Sequence, residues 1–193
     1  MIAAIVLAAG KSERMGSPKA LLRFHDKTFL DHIFEAIERS SIEGVVIVAG
    51  RHRKEIEEAA AGKTIVFNPD YEQGMSTSIK AGIRALPPGA LGAVLLLVDH
   101  PLVAAETIQK LVDNFRPDSI IVPTHVGRRG HPVLFSKDAL DEILQLGPGE
   151  GANIVLRRDP GRVIEVAVDD PGVLRDIDTP EDFQALLREN SLS

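Results

Sequence analysis

The sequence contains no cysteine and few aromatic residues, and its 193 residues carry no excess of positive charge. Without cysteine, the chain can form neither disulfides nor thiolate metal sites. The net charge of −6 argues against a nucleic-acid-binding protein, because such proteins usually present a basic face. A small anionic ligand is not excluded, since a local cluster of cations is enough to bind one.

Long hydrophobic runs are also missing. The most apolar run, GAVLLLV at residues 92–98, is too short to span a bilayer. The opening residues MIAAIVLAAG have no basic segment before the apolar run and then reach a glycine, so they predict a first strand rather than a signal peptide. We therefore expect a cytoplasmic protein whose partners include neither a membrane nor a nucleic acid.

Short apolar runs that alternate with helix-like segments dominate the rest of the sequence. The runs predict strands at residues 3–8, 44–49, 63–67, 93–98, 119–123 and 162–168, and helical periodicity covers 30–40, 76–86 and 104–115. Most runs are apolar on both faces, which is typical of parallel strands covered by helices. The alternation predicts an α/β fold with an open, mostly parallel sheet and helices on both faces. No linker interrupts it, so we expect one domain over residues 1–193.

Polar clusters follow several of the predicted strands. They are the loop LAAGKSERMGSPKALL (7–22), the segment NPDYEQGMSTS (68–78) and the tripeptide DHP (99–101). In an open parallel sheet, ligands bind beyond the carboxyl ends of the strands. The three clusters are therefore expected at one edge of the sheet.

The first loop has the composition of an anion-binding segment. Ala8, Ala9 and Gly10 are small enough for a ligand to approach their backbone, and successive N–H groups can cradle an anion. Arg14 and Lys19 add full positive charges. A polyphosphate matches this chemistry best, although a simple turn with solvated cations is the structural alternative. The loop fits neither GxxxxGK[ST] nor GxGxxG, so it is neither a standard P-loop nor a dinucleotide fingerprint.

Carboxylates at the same edge suggest a magnesium site. Asp99 follows an apolar strand, where a carboxylate suits Mg²⁺ bound together with substrate phosphates, although it could simply cap a turn. Asp176 and Asp178 alternate on an expected strand, and one or both could complete the site. Thr179 and Pro180 then have the pattern of a helix start.

Two further segments could contact substrates. Gly74 and Ser76 lie at a strand-to-helix junction, where Ser76 could cap the helix or both residues could contact a base or ribose. The segment GRRGHPVLF (127–135) reads as a loop entering a strand, and its two arginines make either a surface turn or an anion-binding loop for a second substrate.

Together these segments resemble the molybdopterin nucleotidyltransferase family. The first loop matches the family form LAAGxSxRMGxPKxLL throughout, and NPDYEQGMSTSIKAGI, LLLVDHPLV, GRRGHPVLF and DIDTPEDF follow in the family's order. The resemblance implies a Rossmann-like fold of the nucleotide-diphospho-sugar transferase type. It also implies a Mg²⁺- or Mn²⁺-dependent attack by a substrate phosphate on the α-phosphate of a nucleoside triphosphate, with release of pyrophosphate.

The resemblance also implies roles for individual residues. Arg14 and Lys19 would hold the triphosphate, and Asp99 would bind the metal with Asp176 or Asp178. The remaining nucleotide contacts would come from Leu7, Ala8, Ala9, Gly10, Gly74 and Ser76.

Ala9 and Pro18 resemble the family's cytidine type, which implies transfer of CMP from CTP to molybdopterin. The segment GPGEGANIV, however, departs from the GDxGAR-like stretch of that type. Transfer to another acceptor, such as a sugar or alcohol phosphate, and a GTP-dependent reaction therefore remain alternatives. A third hypothesis is a non-catalytic nucleotide-binding maturation factor for a molybdoenzyme. A molybdoenzyme is also a possible partner if the protein is an enzyme that acts on molybdopterin.

Overall fold

The structure is a computed structural model that describes residues 1–12 and 14–190. The strands are β1 Ile2–Ala8, β2 Arg23–Phe24, β3 Lys27–Thr28, β4 Gly44–Ala49, β5 Thr64–Phe67, β6 Gly92–Leu97, β7 Ile120–His125, β8 Arg128–Arg129, β9 Val133–Ser136 and β10 Val163–Ala167. The helices are α1 Phe29–Glu38, α2 Arg53–Ala59, α3 Met75–Arg84, α4 Ala105–Asp113, α5 Lys137–Gln145, α6 Asn153–Arg158 and α7 Pro180–Asn190.

One mostly parallel sheet organises the molecule. Its strand order is β10-β7-β9-β6-β1-β4-β5, and β8 pairs with β7. Strand β1 lies at the centre, parallel to both β4 and β6, with Val6 opposite Ile47 on one side and Leu96 on the other. Strand β9 is antiparallel to both of its neighbours, β6 and β7. The predicted α/β fold with a mostly parallel sheet is confirmed.

The sheet is covered on both faces because its central strands are apolar at every position. In β1, Ala4 and Val6 pack in the cluster that contains α1 and α4, whereas Ile5 and Leu7 pack in the cluster that contains α3 and α5. This alternation follows from the two-residue period of a strand. Helix α3 approaches β1 closely at Gly82, where an added Cβ would lie 2.5 Å from Ile5 Cγ2.

A smaller apolar cluster brings the last part of the chain to the first loop. Phe24 from the β2–β3 hairpin and Phe29 pack with Ile177 and with Leu186 of α7. The Ile177 N–H also donates a 2.8 Å hydrogen bond to the Asp99 carbonyl oxygen. The segment around residue 178 is therefore fixed beside the carboxyl ends of β1 and β6.

All six predicted strands are present, but two local predictions are wrong. Residues 175–178 do not form a strand, and this segment is held by the buried Ile177 rather than by a strand ladder. Helix α3 begins after Gly74, which has φ +115°, so Ser76 lies in the first turn and does not cap the helix. By contrast, Thr179 caps α7 as predicted, since its hydroxyl accepts from Asp182 N at 3.2 Å.

Within the described ranges, none of the helices is long and apolar enough to cross a membrane.

Candidate active site

A cavity of about 340 Å³ opens at the carboxyl edge of the sheet. The end of β1 and the loop after it form much of its wall, and further lining residues come from the segments that follow β4, β5 and β6 and from the segment before α7. The lining residues are Leu7, Ala8, Ala9, Gly10, Lys11, Ser12, Arg14, Pro18, Lys19, Ala20, His52, Tyr71, Met75, Ser78, Leu97, Val98, Asp99 and Asp178. The cavity therefore lies where the parallel-strand rule places a ligand.

Lys19 is the centre of a charged group in this cavity. Its side chain is only 14% exposed, and its Nζ is ion-paired with Asp178 and lies 3.8 Å from Asp99 Oδ2. Arg14 Nη2 lies 3.2 Å from Asp178 Oδ2, so both phosphate-binding candidates contact the same carboxylate. The loop conformation supports this arrangement, because Ser12 Oγ accepts a 3.1 Å hydrogen bond from Lys19 N.

The two carboxylates of the group have opposite electrostatic environments. The hydrogen bond from Lys19 lowers the pKa of Asp178, with Arg14 contributing as well. Burial raises the pKa of Asp99 and outweighs the attraction of His100 and Lys19. Asp99 Oδ1 is also buried without a hydrogen-bond partner. A buried, unsatisfied carboxylate oxygen is costly unless a cation or donor reaches it.

The donor chemistry fits a hard divalent cation. Carboxylate oxygens are the ligands that Mg²⁺ and Mn²⁺ prefer, and Asp99 and Asp178 supply them on either side of Lys19 Nζ. Among residues 1–12 and 14–190, however, no group of three or more histidine or acidic side chains could hold a metal. Such an ion would therefore need ligands from a substrate as well as from the protein.

The opposite wall of the cavity is less polar and comes from the turns after β4 and β5. His52 and Tyr71 line it together with two residues of α3, Met75 and Ser78. Asn68 is buried and donates 2.9 Å hydrogen bonds to the hydroxyls of Thr77 and Ser78. Since Ser78 Oγ accepts from Asn68, its own hydrogen is available to an acceptor in the cavity.

A histidine pair lies next to Asp99 but is not part of the cavity lining. The rings of His100 and His131 have centroids 5.2 Å apart. Burial, with a smaller contribution from His100, lowers the pKa of His131 to about 4. The Nδ1 atom of His131 is buried without a partner. Asp176 acts on this pair, since it tends to raise the pKa of His131.

The structure brings most of the predicted residues together. Leu7, Ala8, Ala9, Gly10, Arg14, Lys19, Asp99 and Asp178 all line the cavity. Gly74 and Ser76 do not, although Met75 between them does. Asp176 is exposed and interacts with His131 instead of lining the cavity, since residues 175–178 do not form the strand that would place both aspartates on one face.

Sequence reasoning missed four residues of the less polar wall. Tyr71, Met75 and Ser78 lie within the segment 68–78 that the sequence had already indicated, but only the observed helix start shows which of its side chains face the cavity. His52 follows the carboxyl end of β4, so the rule on carboxyl ends could have identified it.

Comparison with known proteins agrees with this geometry. The family model of the MobA-like NTP transferase domain matches residues 4–163. The chain belongs to this family. As a MobA-like transferase it is a nucleotidyltransferase, and its sequence is 34% identical over 186 residues to the molybdenum cofactor cytidylyltransferase of Escherichia coli K12. That alignment covers 93% of this chain and 92% of the relative.

Solved structures show the same architecture for this MobA-like transferase. Rv0371c from Mycobacterium tuberculosis H37Rv superposes with a TM-score of 0.84 at 30% identity, covering 97% of each chain. A complex of Rv0371c with manganese superposes with a TM-score of 0.80 at 28% identity, covering 97% of this chain and 98% of that one. A member of similar sequence and fold thus binds a divalent cation.

Proposed function

We propose that this protein transfers the cytidylyl group of CTP to the phosphate of a molybdopterin-type acceptor and releases pyrophosphate. The observation that carries the proposal is the charged group of Arg14, Lys19, Asp99 and Asp178 beside the small residues Ala8, Ala9 and Gly10. The choice of CTP and of the acceptor is supported by the 34% identity to a molybdenum cofactor cytidylyltransferase and by Ala9 and Pro18, which both line the cavity.

In the proposed reaction, an oxygen of the acceptor phosphate forms a bond to the α-phosphorus, and the bond to the oxygen that bridges the α- and β-phosphates breaks. The electron pair leaves with pyrophosphate. Lys19 and Arg14 hold the triphosphate and stabilise the negative charge that grows on the transferred and leaving groups. Because Lys19 is largely buried, its charge acts in a less polar environment than bulk water and has a stronger effect there.

Asp99 and Asp178 would hold Mg²⁺ or Mn²⁺, which when bound neutralises phosphate charge and orients the phosphates. Lys19 Nζ already lies between these two carboxylates and carries the charge of a cation there. The triphosphate must therefore compete with Asp178 for Lys19. An ion held by Asp99 and Asp178 would leave the Lys19 ammonium group available to the triphosphate.

The less polar wall is the proposed place of the base. The free hydrogen of Ser78 Oγ can be donated to a base carbonyl, and cytosine offers such an oxygen at position 2. Tyr71 provides an aromatic surface on the same wall. Gly74 and Ser76 would contribute through the backbone geometry that places Met75 rather than by lining the cavity.

A substrate screen tests the proposal. The protein is incubated with each of the four common nucleoside triphosphates and Mg²⁺, with molybdopterin, a sugar phosphate or no acceptor, while pyrophosphate release is followed. We expect release with CTP and molybdopterin and a kcat/KM at least 100-fold lower with GTP. Release only with a sugar phosphate would contradict the acceptor, and equal rates with CTP and GTP would contradict the base. Binding of CTP without any release would instead identify a non-catalytic nucleotide-binding factor.

A further inference from the structure

Gly50 is a buried residue directly after β4, behind the less polar wall of the cavity. A Cβ added to it would lie 2.5 Å from the backbone oxygen of Ala9 and 2.9 Å from Cβ and Cγ of Tyr71. Separations below 3 Å between a real Cβ and other heavy atoms essentially do not occur. Gly50, Ala9 and Tyr71 are therefore packed so closely that no side chain would fit at position 50.

Backbone conformation does not explain the glycine. The φ of Gly50 lies outside the left-handed range, in contrast to Gly74 at +115°. Its φ is therefore in a range that residues with a side chain also adopt. The glycine is thus required for space alone, which it leaves to Ala9 and Tyr71.

Both neighbours of Gly50 line the cavity, whereas Gly50 does not. Ala9 follows the central strand β1, and Tyr71 lies in the turn after β5. In the sheet, β4 and β5 lie on one side of β1, and β6, which leads to Asp99, lies on the other. The contact between Gly50, Ala9 and Tyr71 is therefore on the side of the cavity away from Asp99.

Of the two neighbours, Tyr71 is the one that can move. Ala9 is 4% exposed and continues a strand that is hydrogen-bonded on both sides. Tyr71 is partly exposed and belongs to a short 3₁₀ turn, Tyr71–Gln73. A side chain at position 50 would contact the Ala9 carbonyl oxygen first, at 2.5 Å, and because Ala9 is held in place, residue 50 and the Tyr71 turn would shift instead. The spacing between Tyr71 and the Ala9 backbone would change as a result.

We propose that Gly50 is a positioning residue for the nucleoside: it sets the spacing between Ala9 and Tyr71, and so the shape of the surface against which the base lies. This inference rests on the proposed function, because it takes the less polar wall to be the base site. It extends that function by assigning nucleoside recognition to a residue that does not itself line the cavity. Displacements of about an ångström at such a site are enough to reduce binding and rate strongly.

The chain offers a matched control for a test. At Gly82 an added Cβ would also lie 2.5 Å from its nearest neighbour, but that neighbour is Ile5 Cγ2 in the core and not the cavity wall. Gly50→Ala and Gly82→Ala therefore both add one methyl group at a nearest separation of 2.5 Å. Only Gly50→Ala should weaken binding of the nucleoside.

Two probes separate the ends of the cavity. Isothermal titration calorimetry, without acceptor, measures binding of CTP and of inorganic tripolyphosphate, each with Mg²⁺. For Gly50→Ala we expect a loss of CTP affinity of at least tenfold and a change of less than threefold for tripolyphosphate, because Arg14 and Lys19 are unchanged. For Gly82→Ala, both affinities should stay within threefold of the parent protein. The inference would be overturned if Gly50→Ala lost affinity for both ligands to the same extent, or if it lost no affinity for CTP.

A second variant keeps the test valid if Gly50→Ala folds poorly. Tyr71→Ala removes the ring on the other side of Gly50 and leaves position 50 itself unchanged. We expect this variant alone to lose CTP affinity at least tenfold and tripolyphosphate affinity less than threefold, because only the proposed surface for the base has changed. Unchanged CTP affinity in a folded Tyr71→Ala protein would refute the role of Tyr71 and with it the inference. The proposed function itself would fail if the parent protein bound no nucleoside triphosphate more tightly than tripolyphosphate. That result concerns the parent protein, whereas a failure of the Gly50 inference alone would appear only in the variants.

Discussion

At the scale of single residues, Lys19 connects the two halves of the site's chemistry. It contacts both carboxylates proposed for the metal, and it belongs to the loop proposed for the triphosphate. In the sequence, Lys19 lies in a predicted loop, and loop residues are usually exposed. Its 14% exposure shows instead that the ammonium group is held inside the site, where charge is screened less by water.

Replacing Lys19 by alanine should therefore lower kcat/KM by about two to three powers of ten, the usual effect of removing one donor that stabilises transition-state charge. The matched control is Lys27→Ala, because Lys27 forms an exposed ion pair with Glu35 outside the cavity. Steady-state kinetics on both variants, with circular dichroism to confirm folding, would test this. Turnover within threefold of the parent for a folded Lys19→Ala protein would remove Lys19 from the mechanism.

His131 predicts a pH dependence of stability. Its pKa is about 4 in the folded protein and about 6.5 in an unfolded chain. Between pH 6.5 and pH 4 the unfolded state therefore binds more protons, so the free energy of unfolding decreases as the pH falls through this window. The full decrease from this one group is up to about 3 kcal/mol, at about 1.4 kcal/mol for each pKa unit.

Urea denaturation at pH 7 and pH 4.5 measures this effect. His131→Gln, which cannot titrate in this window, should lose less stability between the two pH values than the parent protein. His25→Gln changes an exposed histidine and serves as the control. We expect its loss of stability between the two pH values to equal that of the parent protein. An unchanged pH dependence in His131→Gln would show that other groups cause it.

At the scale of elements, helix α4 depends on a cap from a distant part of the chain. The residue before the helix is Ala104, which has no side-chain hydrogen-bonding group. Asp170 takes this role: its Oδ2 accepts from Ala104 N at 2.9 Å and from Thr107 Oγ1 at 2.7 Å, and its Oδ1 accepts from Gly172 N at 2.9 Å. One buried carboxylate thus fixes the start of α4 against the segment after β10.

Asp170→Ala should lower the free energy of unfolding by about 2–4 kcal/mol, because three buried donors lose their acceptor. The exposed neighbour Asp169 provides a control, and Asp169→Ala should change stability by less than about 0.5 kcal/mol. Equilibrium denaturation of both variants tests this comparison. Equal stability of the two variants would show that other groups satisfy these donors.

The elements also show which parts of the fold could be predicted from sequence. Strands such as β1 and β6 were predictable because a run that is apolar on both faces is favourable only inside a covered sheet. The charged half of the site followed from the same rule, since Arg14, Lys19 and Asp99 all come after such strands. The resemblance to a family added the chemistry and the order of the motifs.

The remaining features depend on contacts between distant residues, which periodicity does not contain. Asp176 and Asp178 have the same spacing as strand neighbours, yet only Asp178 reaches Lys19, because the segment is held by Ile177 in a separate apolar cluster and forms no strand. The less polar wall depends on α3 starting after Gly74 rather than at Ser76. The role that we propose for Gly50 arises from three chain segments meeting at one point.

At the scale of the whole molecule, ligand binding should stabilise the fold, because the site joins parts of the chain that are far apart in sequence. Lys19 and Asp178 are separated by 159 positions. CTP with Mg²⁺ at about 100 times its dissociation constant should add about 2.7 kcal/mol to the free energy of unfolding. Thermal unfolding should accordingly shift to higher temperature with CTP and Mg²⁺, and less when a chelator replaces the metal.

Asp99→Asn separates the metal's contribution from that of the nucleotide. In this variant, CTP with Mg²⁺ should raise the unfolding temperature only as much as CTP with a chelator does. Asp113→Asn, on the exposed end of α4, is the control and should behave as the parent protein. A full Mg²⁺-dependent shift in Asp99→Asn would exclude Asp99 as a ligand of the ion.

The distance along the chain between Lys19 and Asp178 also has a consequence for biosynthesis. The loop that carries Arg14 and Lys19 leaves the ribosome before its acidic partner, which is translated 159 residues after Lys19. Strands β1, β4 and β6 all precede Asp178 in the chain. The charged group can therefore be completed only after all three of these strands and Asp178 have emerged from the ribosome.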